Sequence, residues 1–186
     1  MAIRKHDLAF CWFGNIWSFL AVIFSKIWRK KTVIVAGGHD VANVPEIHYG
    51  LVQHKIMKHF TRFAFTYADL VLPVSKTAEN RLFNLAKPKQ SCMIYNAVDI
   101  HPKPQMYSKK KQVLTVGMIS RKSSLVKGHH TFINVARYLP EIPFILYGQN
   151  KDGTIDVLRK QAPENVRIIE HSTRDDLYDL YAESLI

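Results

Sequence analysis

The feature that most limits what this chain can fold into is a repeated unit. A short, uninterrupted apolar run stops abruptly at Gly or Ser, and a helical pattern follows it. Thr32 to Ala36 stops at Gly37-Gly38, and Leu70 to Val74 at Ser75. Val113 to Val116 stops at Gly117, and Phe144 to Tyr147 at Gly148. A strand without polar alternation is buried on both faces, which is the mark of a parallel sheet. Leu8 to Phe13, Ser91 to Tyr95 and Val166 to Ile169 are further expected strands. Between them, helices are expected over Ile16 to Trp28, residues 51–67, and from a Ser75 cap to Leu85. Further helices are expected over His129 to Leu139, Asp156 to Gln161 and Asp175 to Ser184. Leu185-Ile186 reads as the opening of one more strand.

This order predicts an α/β chain with two parallel-sheet layers. Pro102, Pro104 and the lysines at 109–111 mark the linker. The expected division is 1–100, a linker at 101–111, and 112–186. Parallel sheets take ligands at the carboxyl ends of their strands. The loops Gly37–Asp40, Ser75–Lys76, Gly117–Gly128 and Gly148–Gly153 are therefore where chemistry is expected.

Composition narrows the partners. With 47% hydrophobic and 22% charged residues, the 186-residue chain is globular rather than disordered or low-complexity. Its formal charge of +11 predicts anionic company: phosphates, acidic lipids or nucleic acid. Cys11 and Cys92 lie too far apart for a disulfide framework or zinc site and read as two buried free thiols in a reducing compartment. Leu8 to Phe24 is largely apolar and flanked by basic residues, but Gly14, Asn15 and Ser18 interrupt it. A spanning helix needs about 20 apolar residues, so strand, turn and helix are expected instead.

The segment from Gly117 to Gly128 reads as a polar loop that brings Arg121, Lys122 and Lys127 to a strand's carboxyl end, ahead of a helix N-terminus. That is the composition of a diphosphate cradle, with a solvated basic loop as the alternative. It lacks the order of a Walker loop. His39 beside Asp40 suits proton handling or hydroxyl orientation, and also suits a turn with a polar cap. His129-His130 lacks a third ligand at metal-binding spacing, so no metal site is expected. His54, Lys55, Lys58, His59 and Arg62 alternate with Ile56, Met57, Phe60 and Phe63. Such a stretch fits a core-facing helix with a solvated basic side, or a helix lying on an anionic membrane.

Taken in order, the motifs Ala68 to Ser75, Ile94-Tyr95-Asn96-Ala97-Val98-Asp99, Val113 to Gly117, Lys127-Gly128, Phe144 to Gly148 and Asn165-Val166 resemble a known family. It is that of retaining, nucleotide-sugar-dependent glycosyltransferases of the family-4-like (group 1) type. The resemblance covers residues 30–186 well and the first 30 more loosely. It implies the GT-B fold, two Rossmann-like domains facing each other across a cleft. It also implies transfer of a sugar from a nucleotide diphosphate sugar to an acceptor hydroxyl, with retention and with no metal or cofactor. Carried over by position, Gly117, Arg121, Lys127 and Gly128 would bind the donor diphosphate. His39 and Asp40 would be catalytic, and Gly37, Gly38 and Ser75 would line the acceptor side. Met118 stands where the family commonly has arginine, and Arg121 is the nearest replacement. The family's acidic Glu-x7-Glu motif and its opening αβ units have no counterpart, so the chain reads as a fragment truncated at both ends, inactive alone and with apolar surface exposed. The expected partners are a nucleotide sugar, a glycan or lipid-linked acceptor and an anionic membrane surface, not nucleic acid. The expected setting is cytoplasmic, peripheral on the membrane. Two alternatives stay open: a basic anion-binding module without catalysis, and another GT-B enzyme such as a sugar-nucleotide epimerase or a phosphorylase.

Overall fold

In the computed structural model, residues 2–98, 110–170 and 174–184 are described. They fall into two compact units, Met1–Ile100 and His101–Ile186.

In the first unit, the apolar runs form β1 (Leu8–Trp12), β2 (Lys31–Ala36) and β3 (Leu70–Pro73), parallel and in that order across the sheet. Three helices follow the strands: α1 (Ile16–Ile27), α2 (Lys55–Tyr67) and α3 (Lys76–Leu85). Two of the three starts are capped by side chains. Asn15 and Ser18 form a reciprocal capping box at α1, and the Ser75 hydroxyl accepts from the Ala78 amide at α3. The helical pattern expected over 51–67 is broken at His54, where a 3₁₀ turn (Leu51–Gln53) gives way to α2.

One face of this sheet packs against helices. Ile34, Val71, Val22, Phe65 and Leu82 are fully buried there, with Cys11 against them. Asp69 ties β3 to β2, accepting from the Thr32 amide (2.9 Å) and hydroxyl (3.2 Å). Partial burial pushes the Asp69 carboxyl up, but Thr32, Lys31 and Lys89 outweigh it and hold it below the usual range.

Ser91 to Tyr95 runs along β3 without becoming a regular strand. Val71 donates to Gln90 O, Cys92 to Val71 O, and Ile94 to Pro73 O. The rung between them is missing because Pro73 has no N–H. Cys92, expected to be buried, is exposed on this outer segment.

In the second unit, β4 (Val113–Val116), β5 (Phe144–Gly148) and β6 (Val166–Glu170) form a parallel sheet in that order. Four helices join them: α4 (Arg121–Lys127), α5 (His129–Ala136), α6 (Thr154–Gln161) and α7 (Arg174–Glu183). Ile119, Ile133, Leu146, Ile155 and Leu158 form the core. Asn165 fastens the approach to β6 by donating to the carbonyls of Ala136, Leu139 and Ile142.

The polar loop expected over 118–127 is instead largely α4. The Ser120 hydroxyl accepts from the Ser123 amide to start it, and Gly128 at φ +71° ends it. The linker expected at 101–111 lies mostly outside the described residues, as does Leu185-Ile186. Ser184, just before that pair, does bridge in parallel to Lys110.

No helix among the described residues is long and apolar enough to cross a membrane.

Candidate functional site

The strand order of the second unit points to one place. β4 lies at the edge of the sheet beside β5, and Ser184, after α7, bridges in parallel to Lys110, three residues before β4. Open α/β sheets bind ligands at the carboxyl ends of their strands, here that of β4. That end is Gly117.

Gly117 and Gly148 stand side by side there. A Cβ on Gly148 would lie 1.8 Å from the Gly117 carbonyl oxygen, so only glycine allows this approach. Beside them is a pocket of about 230 Å³ lined by Val116, Met118, Tyr147, Gln149 and Leu177. Lys127 reaches the same place: its Cγ is 3.5 Å from where a Cβ on Gly117 would stand. Gly128 then starts α5, whose N-terminus no side chain caps. Free first-turn amides and a lysine at a strand's carboxyl end form an anion-binding arrangement.

The structure thus brings Gly117, Lys127 and Gly128 together and sets Arg121 apart. Arg121 opens α4 and Lys127 closes it, about 9 Å apart along the helix axis at 1.5 Å per residue. The Arg121 amide donates to Asp152 Oδ2 (3.0 Å), across the loop that follows β5. The Thr154 hydroxyl and this amide hold the Asp152 carboxyl below its usual range. A carboxylate therefore sits beside the cation nominated to replace arginine at position 118.

His129 was not singled out as a binding residue by sequence. It is fully buried, with Nδ1 3.1 Å from Ser124 Oγ. Its Nε2 has no hydrogen-bond partner among the described residues and lies 3.4 Å from the Cβ position of Gly117. Burial first, then His130 and Lys127, pull its pKa below the ordinary histidine value and keep the ring neutral. An orphaned buried nitrogen at a ligand edge is the kind of exception that needs a reason.

In the first unit, Gly37, Gly38, His39 and Asp40 follow β2. Asp40 is turned inward and buried. Its Oδ2 accepts from the amides of Gly14 (2.8 Å) and Gly37 (3.4 Å), and its Oδ1 from Gly38 (2.9 Å). Burial raises its pKa, and these amides pull the other way. Asp40 therefore pins the loop after β1 to the loop after β2. His39 is exposed and meets Tyr49 edge-to-face at 5.1 Å. Ser75 serves the cap of α3. Phe13, which carries no sequence signal, adopts a left-handed φ of 69° and lays its ring over Gly37. Among the described residues no group of His, Cys, Asp or Glu could hold a metal.

The sequence matches no protein-family model and no curated protein. Solved structures do match its fold. The Staphylococcus aureus MnaA–UDP complex superimposes with a TM-score of 0.57 at 14% identity, over 98% of this chain and 51% of that one. A putative UDP-N-acetylglucosamine 2-epimerase from Listeria monocytogenes gives 0.57 at 13% identity, with the same shares. TarM gives 0.62 at 14% identity, over 92% of this chain and 34% of that one. The chain thus spans about half the length of the first two neighbours and about a third of TarM. It shares their α/β, Rossmann-like GT-B fold.

Proposed function

We propose that this chain serves a nucleotide-sugar-dependent enzyme, a retaining glycosyltransferase, with the second unit holding the donor. The observation that carries this reading is the carboxyl end of β4. Gly117 and Gly148, Lys127 and the uncapped start of α5 meet there beside a pocket. The fold neighbours support it, since one of them is titled as a complex with UDP.

In the reaction, the sugar's C1–O bond to the diphosphate breaks and a C1–O bond to the acceptor forms on the same face. The nucleoside diphosphate leaves with the electron pair of the broken bond, and the acceptor hydroxyl's proton passes to the departing phosphate oxygen. Lys127 and the α5 amides would stabilise the charge that grows on the departing phosphate. Arg121 would act from the far end of α4, tempered by Asp152. His39 would face the acceptor, and Asp40 would position the Gly37–Gly38 loop. No cofactor is required.

A sugar-nucleotide epimerase is the second reading. It is favoured by the neighbour titled as a putative UDP-N-acetylglucosamine 2-epimerase, which matches 98% of this chain. It uses the same donor site and releases no transferred sugar.

Differential scanning fluorimetry with UDP, GDP and their sugars tests the site. A ligand at 100 times its Kd adds about 2.7 kcal/mol of stability. Stabilisation by a nucleotide, lost in Lys127→Ala and absent with oligonucleotides, is the expected result. Stabilisation by oligonucleotides alone would sink the reading. Proton NMR of product mixtures then separates transfer with retention from inversion at C2.

We also infer a working place on an anionic membrane surface. Lys55, Lys58, His59 and Arg62 are exposed on α2, and Ile56 beside them is 71% exposed. Co-sedimentation with phosphatidylglycerol vesicles but not phosphatidylcholine vesicles is the expected result.

A further inference from the structure

A second anion site, away from the strand ends of the donor unit, is written into the helical layer of the first unit. Between the loop after β2, the first turn of α2 and the last turns of α3 lies a groove of about 280 Å³. Lys58 comes to it from α2, Arg81 and Asn84 from successive turns of α3, and Asn43 from the loop. Its apolar floor includes Val41 and Leu85, both buried in the core.

Two cations in one groove repel each other unless an anion lies between them, and the described residues of this unit place none there. The acids in residues 1–98 are Asp7, Asp40, Glu46, Asp69 and Glu79. Asp7 pairs with Lys30, Asp69 with Lys31 and Lys89, and Glu79 with Lys76. Asp40 is held by backbone amides. Glu46 sits on the exposed side of the loop and forms no ion pair among the described residues. Neither Lys58 nor Arg81 makes an ion pair or side-chain hydrogen bond there. Arg81 is half-buried, whereas Lys58 reaches the groove from the exposed side of α2.

We propose that this groove binds a phosphate group, free or esterified. The donors decide the chemistry. A guanidinium fork, an ammonium and two carboxamides approach from three elements, which suits a tetrahedral group with several acceptor oxygens better than a flat carboxylate with two. At about 280 Å³ the groove lies just below the usual range for drug-sized ligands, about 300 to 1,000 Å³, and accommodates a phosphate group. The apolar floor would take the carbon attached to the phosphate. The inference stands independently of the donor-site reading, since Lys127 and Gly117 belong to the other unit.

The test is titration calorimetry of the full chain with inorganic phosphate at constant ionic strength, chloride serving as the control anion. Arg81→Gln and Lys58→Gln are each expected to weaken phosphate binding about tenfold or more, the scale of one charge-assisted hydrogen bond lost. Lys55→Gln/Arg62→Gln, which removes two exposed charges of α2 outside the groove, is expected to leave it unchanged. Thermal melts confirm folding, and Asn84→Ala gives a second, uncharged probe of the same groove. Phosphatidylglycerol vesicles identify the source. Vesicle binding that falls with Arg81→Gln assigns the site to a lipid headgroup. Vesicle binding that falls only with Lys55→Gln/Arg62→Gln assigns the groove to a soluble phosphate. Absence of saturable phosphate binding overturns the proposal. So does equal weakening by the groove and the α2 variants, which would mark diffuse attraction, or binding unchanged in both Arg81→Gln and Lys58→Gln.

Discussion

Two buried titratable side chains set the behaviour of the candidate edges, and they do so in different ways. Asp40 receives three amides on two oxygens. Asp40→Ala leaves the Gly14 amide buried without an acceptor, at about 1–3 kcal/mol for an unsatisfied group. Trp12, Trp17 and Trp28 all lie in the first unit, so urea unfolding followed by tryptophan fluorescence reads this loss directly. An unchanged midpoint would show that Asp40 does not pin the loops. His129 acts through pH. Its folded pKa lies below the ordinary value, so the unfolded chain takes up the proton first. Stability from this group is complete above the ordinary histidine range and falls as pH drops through about 6.5 toward the folded pKa. Urea unfolding of the second unit, followed by circular dichroism, is expected to weaken between pH 7.5 and 5.5, and His129→Gln to flatten that slope. A bound anion beside Nε2 would oppose the loss. The His39-Asp40 pair was legible as a polar pair at a ligand edge. That one member faces outward and the other inward was not, because neighbouring residues in an irregular turn have no fixed periodicity.

At the scale of elements, the strands were readable as unbroken apolar runs. The two-faced burial such runs imply holds in β5, where neighbouring Leu146 and Tyr147 are both buried; in the first unit Ile34 and Val71 share one buried face, while Leu8, Phe10 and Trp12 are exposed on the other. Helix α4 was hidden for the opposite reason. Arg121 to Lys127 has no apolar period, only Leu125 and Val126 side by side, and Leu125 is exposed. Its existence rests on the Ser120 cap and the Gly128 terminator, signals that a loop also carries. The consequence is functional, since α4 separates the two cations that a loop would have let converge. Glycines at this edge differ in what they supply. Gly148 supplies space: Gly148→Ala drives a Cβ into the Gly117 carbonyl, with an expected cost of about 1–3 kcal/mol and loss of nucleotide-induced stabilisation. Gly153 supplies conformation: it sits at φ +78° with open space around it. Gly153→Ala is expected to cost about 1–2 kcal/mol, the left-handed penalty, while ligand response survives. Thermal melts with and without UDP separate the two. Equal behaviour of both variants would mean that the Gly117–Gly148 approach does not shape the site.

At the scale of the molecule, charge and apolar surface pull in opposite directions. Among the described residues of the first unit, helices cover one face of its sheet. On the other, Leu8, Phe10 and Trp12 of β1 are about half exposed or more, and Trp12 pairs with Val35, which in turn pairs with Leu72. Phe10, Trp12, Val35 and Leu72 border an apolar groove of about 290 Å³ that also includes Ile94 and Tyr95. Parallel sheets are seldom left bare on one side, and a contiguous apolar face on an edge strand promotes association. The +11 charge resists it, since every copy repels every other. Salt decides which effect wins. The screening length shrinks from about 30 Å at 0.01 M to about 3 Å at 1 M, while apolar contact is not weakened. Sedimentation velocity of the purified chain is therefore expected to show monomer at low salt and larger species as salt rises. Phe10→Lys/Trp12→Lys is expected to keep it monomeric throughout. Phosphate or vesicle binding by the basic groove and α2 would weaken with the same salt, so the two surfaces separate by the sign of their response. Association that falls with salt, or that persists in the double variant, would mean that the bare face is not what brings copies together.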